Sequence, residues 1–185
     1  MNKKTLLLIL LCSIPLYLNA QKWAVKSNLL YDATTTINLG AELKLGKRTT
    51  LDMPFSLNPW TFSDSKKFKH FLVQPEFRWW LCEPFTGHFW GVHAHYAYFN
   101  VGGVQPLKII RNNRHEGWLV GAGISYGYDW LIGGRWSLEA TIGVGYAYID
   151  YDRYGCGNCG PKLKSDGYHY FGPTKVGVTL VFLIK

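Results

Sequence analysis

Eight segments between Trp23 and Ile184 alternate apolar residues with polar or very small ones. A period of two belongs to strands, whose successive side chains point to opposite faces, and it excludes amphipathic helices over the same residues. In the sixth segment Trp118, Val120, Ala122, Ile124, Tyr126, Tyr128 and Trp130 share one face. Gly121, Gly123, Ser125, Gly127 and Asp129 share the other. The first segment sets Trp23, Val25, Leu29 and Tyr31 against Lys26, Asn28 and Asp32. The second sets Ile37, Leu39, Ala41, Leu43 and Leu45 against Asn38, Gly40, Glu42 and Lys44. The third sets Leu51, Met53, Phe55 and Leu57 against Asp52, Pro54, Ser56 and Asn58. The fourth sets Phe71, Val73, Pro75, Phe77, Trp79 and Leu81 against Gln74, Glu76 and Arg78. The fifth sets Trp90, Val92, Ala94, Tyr96 and Tyr98 against His93 and His95. The seventh sets Trp136 to Tyr148 against Ser137, Glu139, Thr141, Gly143 and Gly145, and the eighth runs over Lys175 to Ile184.

Which face is dry decides the fold class. A soluble sandwich or small barrel turns its apolar face inward. Here the polar face is crowded with glycine, which suits a packed interior, and the apolar face ends in Trp and Tyr at both strand ends, where a bilayer has its interfaces. With 20 Gly and 16% aromatics, the expectation is an all-β, eight-stranded antiparallel up-and-down transmembrane β-barrel. The links around Leu45–Arg48 and Ile132–Arg135 are tight. Residues 60–70, 100–117 and 150–172 read as long connections, and short periplasmic turns with long outer loops are the usual arrangement of such barrels. Lys3 and Lys4 precede an apolar run from Thr5 to Tyr17 and a small residue at Ala20. Residues 1–20 therefore read as a signal peptide and 21–185 as one barrel domain in the outer membrane of a Gram-negative cell. Removing Lys3 and Lys4 leaves 18 of 20 basic residues against 12 acidic, a net +6. For an exported chain this points to anionic lipid and away from nucleic acid.

The stretches "KSNLLYDATTTINLGAELKLGKRTTLD", "NPWTFSDSKKFKHFLVQPEFRWWLCEPFTGHFWGVHAH" and "YGCGNCGPKLKSDGYHYFGPTKVGVTLVFLIK" resemble an uncharacterised family of exported Bacteroidetes proteins, classed as a domain of unknown function. The resemblance covers nearly all of the exported part. It implies a small outer-membrane β-barrel and supplies no catalytic residue.

The alternation sends Lys26, Asp32, Glu42, Lys44, Asp52, Glu76, Arg78, His93, His95, Asp129, Glu139 and Lys175 into the interior. An eight-stranded barrel is only wide enough for side chains to fill it, so these charges must pair and plug it. His93 and His95 are expected to hydrogen-bond to the carboxylates of that plug, beside Glu76 and Arg78. Two histidines do not complete a metal site, and no cofactor is implied. Cys156 and Cys159 in "YGCGNCGPK" read as a local loop disulfide, with Cys82 unpaired at the opposite end. Lys66, Lys67, Lys69, Lys108, Arg111, Arg114, Arg153, Lys162 and Lys164 read as a basic loop surface for lipopolysaccharide phosphates or for a surface or fimbrial protein. The function expected is structural or surface-binding. The alternative is a lipid-A-modifying hydrolase or acyltransferase, whose nucleophile, base and orienting carboxylate no spacing in the sequence ties together.

Overall fold

The structure, a computed structural model, describes residues 22–63, 66–102, 113–155 and 162–184. The strands are β1 (Trp23–Asn28), β2 (Ile37–Lys44), β3 (Thr49–Asn58), β4 (Thr61–Ser63), β5 (Lys66–Val73), β6 (Glu76–Trp80), β7 (Gly87–Gly102), β8 (Asn113–Gly133), β9 (Trp136–Gly155) and β10 (Lys162–Ile184). A one-turn helix, α1 (Leu29–Ala33), separates β1 from β2. All pairings are antiparallel. Nine of the strands close into a ring through the β2–β3 pairing, and β4 hangs from β5 outside it.

β5 and β6 occupy one place in that ring. Both lie between β3 and β7 in an unbroken register: Phe55 faces Val73 and Asp52 faces Glu76 on one side, and Tyr96 faces Val73 and His93 faces Glu76 on the other. Across the break, the Gln74 N–H still donates to the Pro54 carbonyl (3.2 Å), and the Ala94 N–H to the Pro75 carbonyl (3.0 Å). Pro75 has no N–H to give, which thins the ladder there without shifting it.

Two expectations are corrected. The first strand does not reach Tyr31 and Asp32. Asn28 Oδ1 accepts the Leu30 N–H (3.1 Å), a helix cap that turns the chain into α1. Asp32 is exposed and accepts from Ser27 Oγ (2.9 Å) and Asn38 Nδ2 (2.7 Å), so it is not an interior residue. The connections read as long loops are also largely strand. β5 starts at Lys66, β8 at Asn113 and β10 at Lys162, and β9 runs on to Gly155. At the β9–β10 tip, where Lys162 to Ser165 are all exposed, no pattern marks a dry side while the backbone ladder continues.

The ends of the ring differ. Links 45–48, 81–86 and 134–135 are short and lie at the same end as Trp23 and Ile184. Gly134, at φ +61, makes the tightest of these turns in a conformation that other residues adopt only with strain. The opposite end carries α1 and the extended hairpins.

Candidate functional site

The ring is polar inside and apolar outside. Arg78 is 1% exposed and Glu76 0%, whereas Leu39 is 60% and Ile142 59%. At the short-turn end the interior is closed by Ala24, Phe85, Val181 and Leu183, with Trp80 and Phe89 buried beside them. Above that floor lies a charged belt built by β1, β2, β3, β6, β9 and β10. Arg78 is its centre. Its Nη1 meets Glu42 (2.9 Å) and Glu139 (2.8 Å), its Nη2 meets Asp52 (2.8 Å), and its Nε donates to Glu76. Lys26 bridges Glu42 (2.8 Å) and Glu139 (2.6 Å), and Lys175 reaches Glu76 (2.8 Å). Ser125 donates to Glu76 as well, and the Arg78 guanidinium lies 4.3 Å over the Phe89 ring. Three cations thus face four carboxylates in one connected cluster. Asp129 sits apart from it, accepting from Ser137 Oγ (3.0 Å). Lys44 is half-buried and its ammonium joins none of these ion pairs, since it lies at the end of β2 near the Gly46–Arg48 turn.

The histidines lie above the belt and do not bond to its carboxylates as expected. His93 Nε2 is 2.9 Å from Thr174 Oγ1, and its Nδ1 is 4.0 Å from Glu76, too far for a hydrogen bond. His95 is 5% exposed, and its Nδ1 has no partner among the described residues. The reason is the glycine pair opposite: a Cβ at Gly123 would stand 2.8 Å from His93 Nε2, and one at Gly121 would stand 2.5 Å from His95 Nε2. The rings fill this space and lean toward β8 and β9 instead of down to the acids. Gly123→Val is expected to lower the urea midpoint of the refolded protein. Its Cβ would also lie 2.5 Å from the Val144 carbonyl oxygen, so the cost is at least the roughly 1–3 kcal/mol of overpacking. A midpoint equal to wild type would show that the histidine layer is loosely packed.

Above His95 the inward face changes character. Phe68, Leu72, Ala97, Phe99, Val101, Leu119, Ala147 and Ile149 line a cavity of about 660 Å³. Its lower end is His95, Gln74 and Thr174, and one side is formed by Leu30 and Tyr31 of α1 and by Thr34, which caps it. This chamber was missed in the sequence. Its signal was present in "HAHYAYFNV" and "YAYI", where the apolar residues stop alternating and occupy both faces. Among the described residues no three His, Cys, Asp or Glu side chains are grouped to hold a metal ion.

The basic residues are placed differently from a free loop surface. Lys66, Lys67 and Lys69 belong to β5, and Lys69 is exposed. Arg114, second in β8, pairs with Glu116 (3.3 Å) and stacks on Tyr154 (4.6 Å), and Arg153 is half-buried on β9. Lys162 and Ser165 both donate to Asp152 (2.7 Å each), and Lys164 donates to Asp166 (2.6 Å). Those bonds hold both carboxyls below the usual carboxylate range and the Lys162 ammonium above its own. A depressed carboxyl stabilises the fold above its ordinary value and loses that effect as pH falls. Amide protection at the β9–β10 tip is therefore expected to hold from pH 7 to about pH 4 and to fall below it. Loss of protection between pH 7 and 5, read by hydrogen exchange, would refute these pairs. Lys108, Arg111, Cys156 and Cys159 lie outside the described residues, as does the segment 1–20. Cys82 is exposed and free.

The sequence profile of one family, described as "Protein of unknown function (DUF3575)", matches residues 6–184. The chain belongs to that family. No curated protein and no solved structure matches it. The DUF3575 ring therefore has to be read from its own geometry: a floor, a belt of paired charges and an apolar chamber toward the hairpin end.

Proposed function

We propose that this DUF3575 chain is an exported, eight-stranded, up-and-down β-barrel of the outer membrane, closed to ions, with a structural or surface-binding role in the envelope. The observation that carries the reading is the inverted burial, with an Arg78-centred ion cluster inside and aliphatic side chains outside. Water does not favour that arrangement and lipid does. Two belts of outward aromatics bound the aliphatic band. Trp79, Trp90, Trp130 and Trp136 lie toward the short turns, and Tyr96, Tyr98, Trp118 and Tyr146 toward the hairpins. From Trp90 to Tyr98 the strand advances roughly 27 Å at ~3.4 Å per residue, which, once tilted, suits a band ~25 Å tall. Counting β5 and β6 as one stave makes the strand number eight and leaves both ends of the chain on the periplasmic side.

The extended hairpins, with Lys69, Lys162 and Lys164, reach beyond the band toward glycolipid phosphates or a surface or fimbrial protein. The experiment is fractionation with gel migration. The protein is expected in the outer membrane, with a folded band that shifts on boiling. A soluble periplasmic monomer would overturn the barrel.

A second reading rests on Thr174 and His93. A hydroxyl 2.9 Å from an imidazole nitrogen, at the foot of an apolar chamber, has the parts of a nucleophile and its base. On this reading Thr174 Oγ attacks an ester carbonyl of lipid A while His93 takes its proton. The ester C–O bond then breaks, the sugar oxygen leaves with the proton from His93, and the acyl group stays on Thr174 until water or an acceptor hydroxyl removes it. Mass spectrometry of lipid A from a deletion strain tests it. An altered acyl pattern, restored by the wild-type gene and not by Thr174→Val, supports the enzyme. An unchanged pattern leaves the structural role.

A further inference from the structure

The upper chamber asks for an occupant. It is walled by aliphatic and aromatic side chains, and its volume of about 660 Å³ lies inside the roughly 300–1,000 Å³ of ordinary small-molecule sites. His95 closes its lower end with a ring that is nine-tenths buried, whose Nδ1 is sealed from water and whose Nε2 has no hydrogen bond among the described residues. A buried imidazole without a partner is costly, and a ligand atom that meets Nε2 offsets that cost. We infer that the chamber binds an elongated, apolar molecule carrying one uncharged hydrogen-bonding group, which His95 receives.

The head is uncharged because of what lies beneath. The belt already sets four carboxylates against three cations, and Lys175, which follows the chamber residue Thr174, is committed to Glu76 at 2.8 Å. An anionic head would find no free positive charge there. The tail is apolar because Leu72, Phe99, Leu119 and Ile149 offer it no polar contact.

A side opening gives such a molecule a way in. β1 pairs with β10 only from Thr179 to Ile184. The same edge of β10 from Lys162 to Val178 has no strand partner among the described residues, and α1 stands beside the chamber there. In a barrel this gap faces the outer leaflet, so an apolar ligand reaches the chamber without crossing water. The direction of access rests on the membrane reading, whereas the binding itself rests on the closed ring.

The test is a titration of the full, refolded chain in lipid nanodiscs, or in plain buffer should it prove water-soluble, so the chamber is tested whichever way the membrane question falls. The histidine rings carry ¹³C, and the probes are 1-decanol and sub-micellar decyl sulfate, equal chains with a neutral and a permanently anionic head. The expected result is a saturable shift of the His95 signals with 1-decanol and none that saturates with decyl sulfate. In Leu119→Trp, which fills the chamber, the saturable shift is lost while the folded band on gels is kept. Ala97→Phe replaces it should Leu119→Trp not fold. Absence of saturation with 1-decanol, or saturation that survives the filling variant, overturns the site. Equal saturation by decyl sulfate overturns the neutral head.

Discussion

Arg78→Met is expected to stop the ring from assembling. The guanidinium touches Glu42, Asp52, Glu76 and Glu139 at once and is 1% exposed. Its removal leaves four buried carboxylates with Lys26 and Lys175 alone. Removing one partner of a single buried pair costs about 3–5 kcal/mol, because the remaining charge stays out of water. Four buried carboxylates sharing two ammoniums, with Asp52 left 3.8 Å from each, cost at least that much, and whole domains have only about 5–15 kcal/mol to lose. Arg78→Lys should fall between, since an ammonium keeps the charge without the planar fork that reaches several carboxylates. Adding Glu139→Gln to Arg78→Met should recover part of the loss, because the two act on one network and their effects do not add. The readout is the heat-shifted gel band and the urea midpoint after refolding. An Arg78→Met protein with the wild-type midpoint would mean that the belt is solvated and holds nothing together.

The parts of this fold that were legible in the sequence are those with one dry face. Between the aromatic belts, every outward Val, Leu or Ile implies an inward partner, so Glu42, Glu76, Arg78 and Glu139 were assigned to one face by period alone. Contact between them then follows from ring closure, which brings β2, β6 and β9 around one axis. Legibility ended where the contrast between faces ended. Asp32 carried the alternation past Asn28, but a side-chain cap at Asn28 outweighed it. Tyr151 to Gly155 and Lys162 to Ser165 look like loop because neither face is dry, yet the β9–β10 ladder continues through them. The chamber was hidden for the opposite reason: at Ala97, Phe99, Leu119 and Ile149 both faces are apolar, and period two cannot report an apolar interior behind an apolar exterior. His93 and His95 share one buried face of β7, but period two says nothing of their partners. Those depended on Thr174, beside the irregularity that β10 carries between Pro173 and Lys175, and a local bulge leaves no periodic trace.

Ile142→Arg separates a ring in lipid from a ring in water. Ile142 is 59% exposed on β9, opposite Tyr126 on one side and Val176 on the other, six residues from Trp136 at the lower belt and six from Tyr148 above. On a water-facing surface such a change is worth within about 0.5 kcal/mol, because an exposed arginine is fully hydrated. At the middle of a bilayer it costs roughly 2–4 kcal/mol, falling to about 0–1 near the interfaces. Trp136→Arg is the matched control, since it lies on the same strand and face at the level of the belt. Folding into lipid vesicles, followed by urea titration, should therefore show a large loss for Ile142→Arg and a small one for Trp136→Arg. The difference should shrink in short-chain detergent, where the arginine can reach water past a thinner apolar layer. Equal, small losses at the two positions in vesicles would mean that this face does not meet lipid. The inverted burial would then have to be covered by another protein surface instead.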